Sequence, residues 1–129
     1  MESIFGVRKT IRTTVPSIPF EKLASEVLSG RYELSLVICG DTLARKMNKK
    51  YRNRSYFPNV LSFPIEKTSG EIFLNVRCAE REAKKYGVSL RSRMALLFVH
   101  GLFHLKGLAH GTRMENAEQK ILSKYKLTK

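Results

Sequence analysis

Residues 90–106, LRSRMALLFVHGLFHLK, place apolar side chains nearly all the way round a helix. Such a helix has no solvent face, so the rest of a 129-residue chain has to be built around it. The length fits one domain, and 43% hydrophobic residues suffice to hide roughly two-thirds of the unfolded chain's surface. The longest apolar run, residues 94–99, stops at His100, well short of the ~20 residues a membrane span needs. Residues 1–5 show no basic region leading into an apolar stretch and a cleavage site, so the expected location is cytoplasmic.

Strands and helices alternate before this segment. Residues 4–13 read as an early strand, and Pro16-Ser17-Ile18-Pro19 introduces a helix with Phe20, Leu23, Ala24, Val27 and Leu28 at helical spacing and Gly30 as its stop. Residues 33–39, ELSLVIC, form a second strand. Asp41 is the expected cap of a helix over 42–51, with Leu43, Ala44 and Met47 inward. Val60-Leu61-Ser62-Phe63 is a short strand that Pro64 should end, and Ser69-Gly70 should turn the chain into a fourth strand, residues 71–74. Asn75 caps a helix with Val76, Ala79, Ala83 and Tyr86 inward, closed by Gly87. Thr112-Arg113-Met114-Glu115 has the form of a capping box, opening a last helix with Met114, Ala117, Ile121, Leu122 and Tyr125 inward. The expectation is an α+β single domain over residues 1–129: one four-stranded sheet packed with about five helices, the residue 90–106 helix buried centrally.

Lys and Arg number 24 against 11 Asp and Glu, a formal net charge of +13. Residues 1–40 hold five basic and four acidic side chains, whereas 41–129 hold nineteen and seven. One basic cluster contains Arg45, Lys49, Arg52 and Arg54, a second contains Arg77 and Arg81, and a third is C-terminal. Each alone is compatible with an ordinary solvated face; together they make a field that concentrates polyanions, nucleic acid first among them. A membrane surface fits less well, because no basic amphipathic stretch carries a Trp/Phe-rich insertion face. Cys39 and Cys78 are far apart, without Cys-x-x-Cys spacing, and read as small buried hydrophobes in a reducing compartment.

All three histidines fall within residues 100–110, HGLFHLKGLAH. His100 and His104 are four apart, so on a helix they share one face, close enough to share a metal ion. Gly107 lets the chain leave the helix, and His110 can then return to the same point as a third ligand. Three imidazoles and an open fourth position describe a catalytic zinc site, although nickel, copper or cobalt would also suit the donors. Metzincin proteases share this spacing but need Glu directly after the first His. Here that place is Gly101, which suits close backbone packing instead. A peptidase reading keeps only the spacing.

The block His100-Gly-Leu-Phe-His104-Leu-Lys-Gly107-Leu-Ala-His110 resembles the signature H-G-x-L-H-L-x-G-Y-D-H of the YbeY-type bacterial rRNA maturation endoribonucleases. Tyr51-Arg52 with Pro58-Asn59-Val60-Leu61-Ser62-Phe63-Pro64 resembles that family's Y-R…P-T-N/D-V-L-S-F-P, Gly70-Glu71-Ile72 its G-D-I, and Met114 with residues 118–122 extends the similarity into the last helix. The resemblance implies a mixed sheet and one zinc ion per chain on His100, His104 and His110. It also implies single-strand-specific endoribonuclease activity in 16S rRNA 3′-end maturation and ribosome quality control, with rRNA and ribosomal particles as partners and no DNA substrate. By motif position Arg52 would face the metal across a groove, where its fork can hold a phosphate. Arg45, Lys49, Arg54, Arg77 and Arg81 would bind RNA beside it, and Ser62 either lines the groove or serves only its strand.

The chain departs from the signature at Leu108-Ala109, where the family has Tyr-Asp, and at Gly111-Thr112-Arg113, which replaces an acidic stretch. The lost Asp is a carboxylate that could orient a ligand imidazole. Glu115 reads first as the capping-box residue and second as a substitute. Without an obvious carboxylate base, water and the RNA 2′-OH both remain candidate nucleophiles. The missing Asp also motivates an alternative: a non-catalytic, metal-stabilised module that binds RNA or the ribosome.

Overall fold

The computed structural model describes residues 4–28 and 31–129; the Gly30 stop and residues 1–3 lie outside them. The element order is β1 (Ile4–Lys9), α1 (Phe20–Val27), β2 (Glu33–Cys39), α2 (Asp41–Arg52), β3 (Val60–Glu66), β4 (Ser69–Asn75), α3 (Val76–Tyr86), α4 (Leu90–Lys106) and α5 (Thr112–Lys124). The strands form one mixed sheet in the order β1-β2-β4-β3, with β1–β2 and β2–β4 parallel and β3–β4 antiparallel. This is the α+β architecture expected, with four strands and five helices among the described residues.

Side chains alternate across the two central strands, which are covered on both faces. Leu34, Leu36 and Ile38 of β2 and Ile72 and Leu74 of β4 enter the main core with α1, α3, α4 and α5. Val37, Cys39 and Phe73 point the other way, into a smaller core with Leu61 of β3 and Leu43, Ala44 and Met47 of α2. α2 therefore lies on the opposite face of the sheet from α4. Met94, Ala95, Phe98, Val99 and Leu102 are fully enclosed, so α4 occupies the middle of the domain. Among the described residues no helix is long and apolar enough to cross a membrane.

Several local expectations are corrected. β1 ends at Lys9, short of Thr13. β3 continues through Pro64 to Glu66, because it is an edge strand and a missing N–H there breaks no ladder; the register shifts between those two residues. The β3–β4 turn is at residues 67–68, and Gly70 lies within β4. A Cβ at Gly70 would stand 2.5 Å from the Tyr32 hydroxyl, so this glycine serves close packing. Gly40, not Asp41, precedes α2, and the Asp41 carboxylate accepts from Arg81 and Asn75 instead. Gly111 precedes α5 with no side-chain cap, so the expected capping box does not close. Tyr86 is 55% exposed, with the Arg93 guanidinium 4.9 Å from its ring centroid. Asn75 does cap α3, accepting from the amides of Arg77 and Cys78, and Gly87 ends it with φ 66°.

Candidate metal centre

α4 carries His100 and His104 one turn apart near its C-terminus, where the helix emerges from the core and both rings are partly exposed. Gly107 takes φ 101°, a left-handed conformation that ends α4, and its amide bonds the carbonyls of His104 and Phe103. The chain then turns back to bring His110 over the pair. Ring centroids are 4.6 Å apart for His100–His104, 4.8 Å for His100–His110 and 4.5 Å for His104–His110. One ring nitrogen from each lies within 4.8 Å of the others.

His100 Nδ1 is 2.6 Å from Glu118 Oε2, whose side chain is only 7% exposed. A carboxylate only accepts, so this contact selects the tautomer of the neutral ring with its proton on Nδ1, the one whose Nε2 lone pair can bind a metal. That Nε2 lies 3.0 Å from His104 Nε2. Two nitrogens on one tetrahedral zinc stand roughly 3.3 Å apart, so this pair is spaced as ligands of one ion, and with His110 inside 4.8 Å the three imidazoles form a donor set for a divalent transition metal. The imidazole of His104 is held below its usual pKa, first by burial and then by His100, His110 and Arg52, which favours the neutral ligand form.

The histidines open into a cavity of about 610 Å3 whose lining also includes Arg52, Tyr56, Phe57, Asn59, Ser62 and Glu82. Arg52 is the last residue of α2; Asn53 follows with φ 54° and ends the helix, turning the chain toward the metal side. Glu82 is paired with Arg93 at 2.9 Å and accepts from Asn59 Nδ2 at 3.1 Å. Ser62 Oγ donates to the Gly101 carbonyl at 3.0 Å, so the serine both lines the cavity and fastens β3 to α4. A Cβ at Gly101 would lie 2.8 Å from Ser62 Oγ and 3.2 Å from Ile72 Cδ1, the close packing expected where a peptidase would carry Glu.

The remaining basic residues are dispersed. Arg45 and Lys49 line a separate hollow on α2, and Arg54 is exposed in the following loop. Arg77 is paired with Glu80. Arg81 donates both Nη atoms to Asp41, holding that carboxyl below its ordinary range, and also reaches Cys78 Sγ. Neither arginine lines the metal cavity. Both cysteines are free and buried. Burial pushes the Cys39 thiol up to about 12. Cys78 is not in purely apolar surroundings, since it accepts from Asn75 as well as Arg81.

Sequence reasoning missed Glu118 and Glu82 and looked to Glu115, which is exposed. A signal for Glu118 was present. It shares the inward face of α5 with Met114, Ile121 and Leu122, and a carboxylate at a core position requires a partner.

A family model described as Endoribonuclease YbeY matches residues 5–126. A Mesoplasma florum protein named Endoribonuclease YbeY is 38% identical over 103 residues, covering 71% of this chain and 61% of that protein, so the chain spans less than two thirds of this relative. An Aromatoleum aromaticum protein of the same name is 33% identical over 131 residues, covering 95% of this chain and 84% of the other. A solution structure from Thermotoga maritima superposes with a TM-score of 0.70 at 16% identity, covering 95% of this chain and 92% of that one, and shows the same fold.

Proposed function

The chain belongs to the Endoribonuclease YbeY family, matched over residues 5–126, and on that premise we propose that it is a zinc-dependent endoribonuclease cleaving single-stranded RNA. The convergence of three imidazoles and Arg52 on one cavity carries this reading. His100, His104 and His110 hold the metal, and Glu118 fixes the His100 ring. A metal held there supplies Lewis acidity toward a phosphoryl oxygen and acidifies water. Arg52 presents a planar fork that grips a phosphate bidentately and offsets the charge that builds on it during cleavage. The excess of basic residues after position 40 draws the RNA to this part of the chain. The RNA is rRNA within ribosomal particles, cut at the 3′ end of 16S rRNA during maturation and quality control, in the cytoplasm.

His104→Ala should remove bound metal and RNA cleavage together, read by metal analysis beside a cleavage assay on a 16S 3′-end transcript. Retained cleavage by the metal-free variant overturns the proposal. The non-catalytic module drew its support from the missing carboxylate at Ala109; Glu118 supplies a carboxylate to His100 from another helix, which weakens that reading.

A further inference from the structure

Tyr56 and Phe57 are large aromatic residues left 54% and 47% exposed at the rim of the metal cavity. Their exposure is imposed by the fold beneath them. Four successive carbonyls of this loop accept hydrogen bonds from core elements: Tyr56 from Asn48 Nδ2 at 3.2 Å, Phe57 from Cys78 Sγ at 3.5 Å, Pro58 from Asn75 Nδ2 at 3.0 Å and Asn59 from the Asn75 amide at 2.9 Å. Asn48 and Asn75 are fully buried, so the backbone under the two rings is fastened from below before any ligand arrives. Binding then costs little in backbone ordering, and an aromatic side chain has only two torsions of its own left to settle.

Phe57 also belongs to two hollows at once. On one side is the cavity of about 610 Å3 that contains the histidines and Arg52. On the other is a hollow of about 410 Å3 on α2, lined by Thr42, Arg45, Lys46 and Lys49. The Arg45 guanidinium lies 5.5 Å from the Phe57 ring centroid. Among the described residues, Arg45, Lys46 and Lys49 form no ion pair with a carboxylate, in contrast to Arg77, Arg81 and Arg93. A tethered aromatic surface with uncompensated cations next to it matches a nucleobase with its phosphates. A base paired inside a duplex cannot offer its face to such a ring, whereas an unpaired one can.

We propose that Phe57, with Tyr56 beside it, is a stacking platform for an unpaired base next to the phosphate at the metal centre, and that the α2 hollow holds the phosphates that continue from it. The strand then runs from the histidines, over Phe57, onto Arg45, Lys46 and Lys49. This assigns a base-binding subsite and a source of single-strand preference, and it rests on the endoribonuclease reading.

The test is fluorescence anisotropy of a short 2′-O-methylated single-stranded oligoribonucleotide on the metal-loaded full chain, with a duplex of the same length as control. Phe57→Ala should weaken single-strand binding about tenfold or more, the loss expected of one stacked base, and leave duplex binding unchanged. Phe57→Trp should retain the parent's affinity. Single-strand binding by Phe57→Ala as tight as the parent's overturns the proposal, as does an equal loss for single strand and duplex. Cleavage of the unmodified strand by the parent judges the underlying reading separately. A parent that binds without cutting overturns the nuclease and leaves the platform to the variants, and a parent that does not bind RNA overturns both.

Discussion

His100 Nδ1 and Glu118 Oε2 meet at 2.6 Å across the contact between α4 and α5, and this pairing decides which nitrogen of His100 faces His104. Glu118→Gln keeps the shape of the side chain but replaces an acceptor that can only accept with an amide that can also donate. The ring is then no longer held in one tautomer and orientation. We expect metal affinity to fall about 10–100-fold while the protein stays folded, measured by competition with a chromogenic chelator. Unchanged affinity would show that the contact has no bearing on the ligand.

Arg52 shares the cavity with the histidines and its charge contributes to lowering the His104 pKa. Arg52→Lys retains a positive charge but loses the planar fork. If the side chain stabilises charge on the phosphate during cleavage, kcat should drop by about a hundredfold or more with bound metal at the parent level. A lysine variant with parental kcat would reduce Arg52 to a general electrostatic role.

Asp41 offers a test by pH. Arg81, ahead of Asn75 and Cys78, holds its carboxyl below the ordinary value of 3.8. A depressed carboxyl contributes stability that is fully present above the unfolded value and is lost as pH falls through the folded one. Arg81→Gln removes the main cause, so urea midpoints should fall less steeply below about pH 4 in the variant than in the parent. At neutral pH the cost should stay within about 1 kcal/mol, because the guanidinium side is 55% exposed. Parallel acid limbs for the two proteins would exclude this pair as a source of acid sensitivity.

What the sequence exposed and what it hid divide along physical lines. His100 and His104 are one helical turn apart, and the left-handed φ at Gly107 follows from residue type, so the metal cluster is legible from local rules alone. The central position of α4 is equally legible, because a helix without a polar face leaves no other place for it. Glu118 is eighteen residues from its partner on another helix, and only packing brings them together. The strand continuing past Pro64 depends on β3 being at the sheet edge, a property of topology. The polar setting of Cys78 arises where α2, α3 and the 53–59 loop meet.

Gly101 places backbone where any larger residue would meet β3. A Cβ there would stand 2.8 Å from Ser62 Oγ, an atom already committed to the Gly101 carbonyl at 3.0 Å. Gly101→Ala gains helix propensity of about 1 kcal/mol, but it must displace the serine, break that hydrogen bond and press on Ile72. Overpacking costs about 1–3 kcal/mol, so the net change should be destabilising and of order 1 kcal/mol. In a Ser62→Ala background the nearest clash is gone and Ile72 Cδ1, at 3.2 Å, becomes the limit. The cost of Gly101→Ala should then shrink by at least about 0.5 kcal/mol, a coupling read from urea unfolding of the four proteins of the cycle. Strict additivity would mean that the helix shifts away from β3 as a body, in which case the metal affinity of Gly101→Ala should fall as well, since His100 is the adjoining residue on α4.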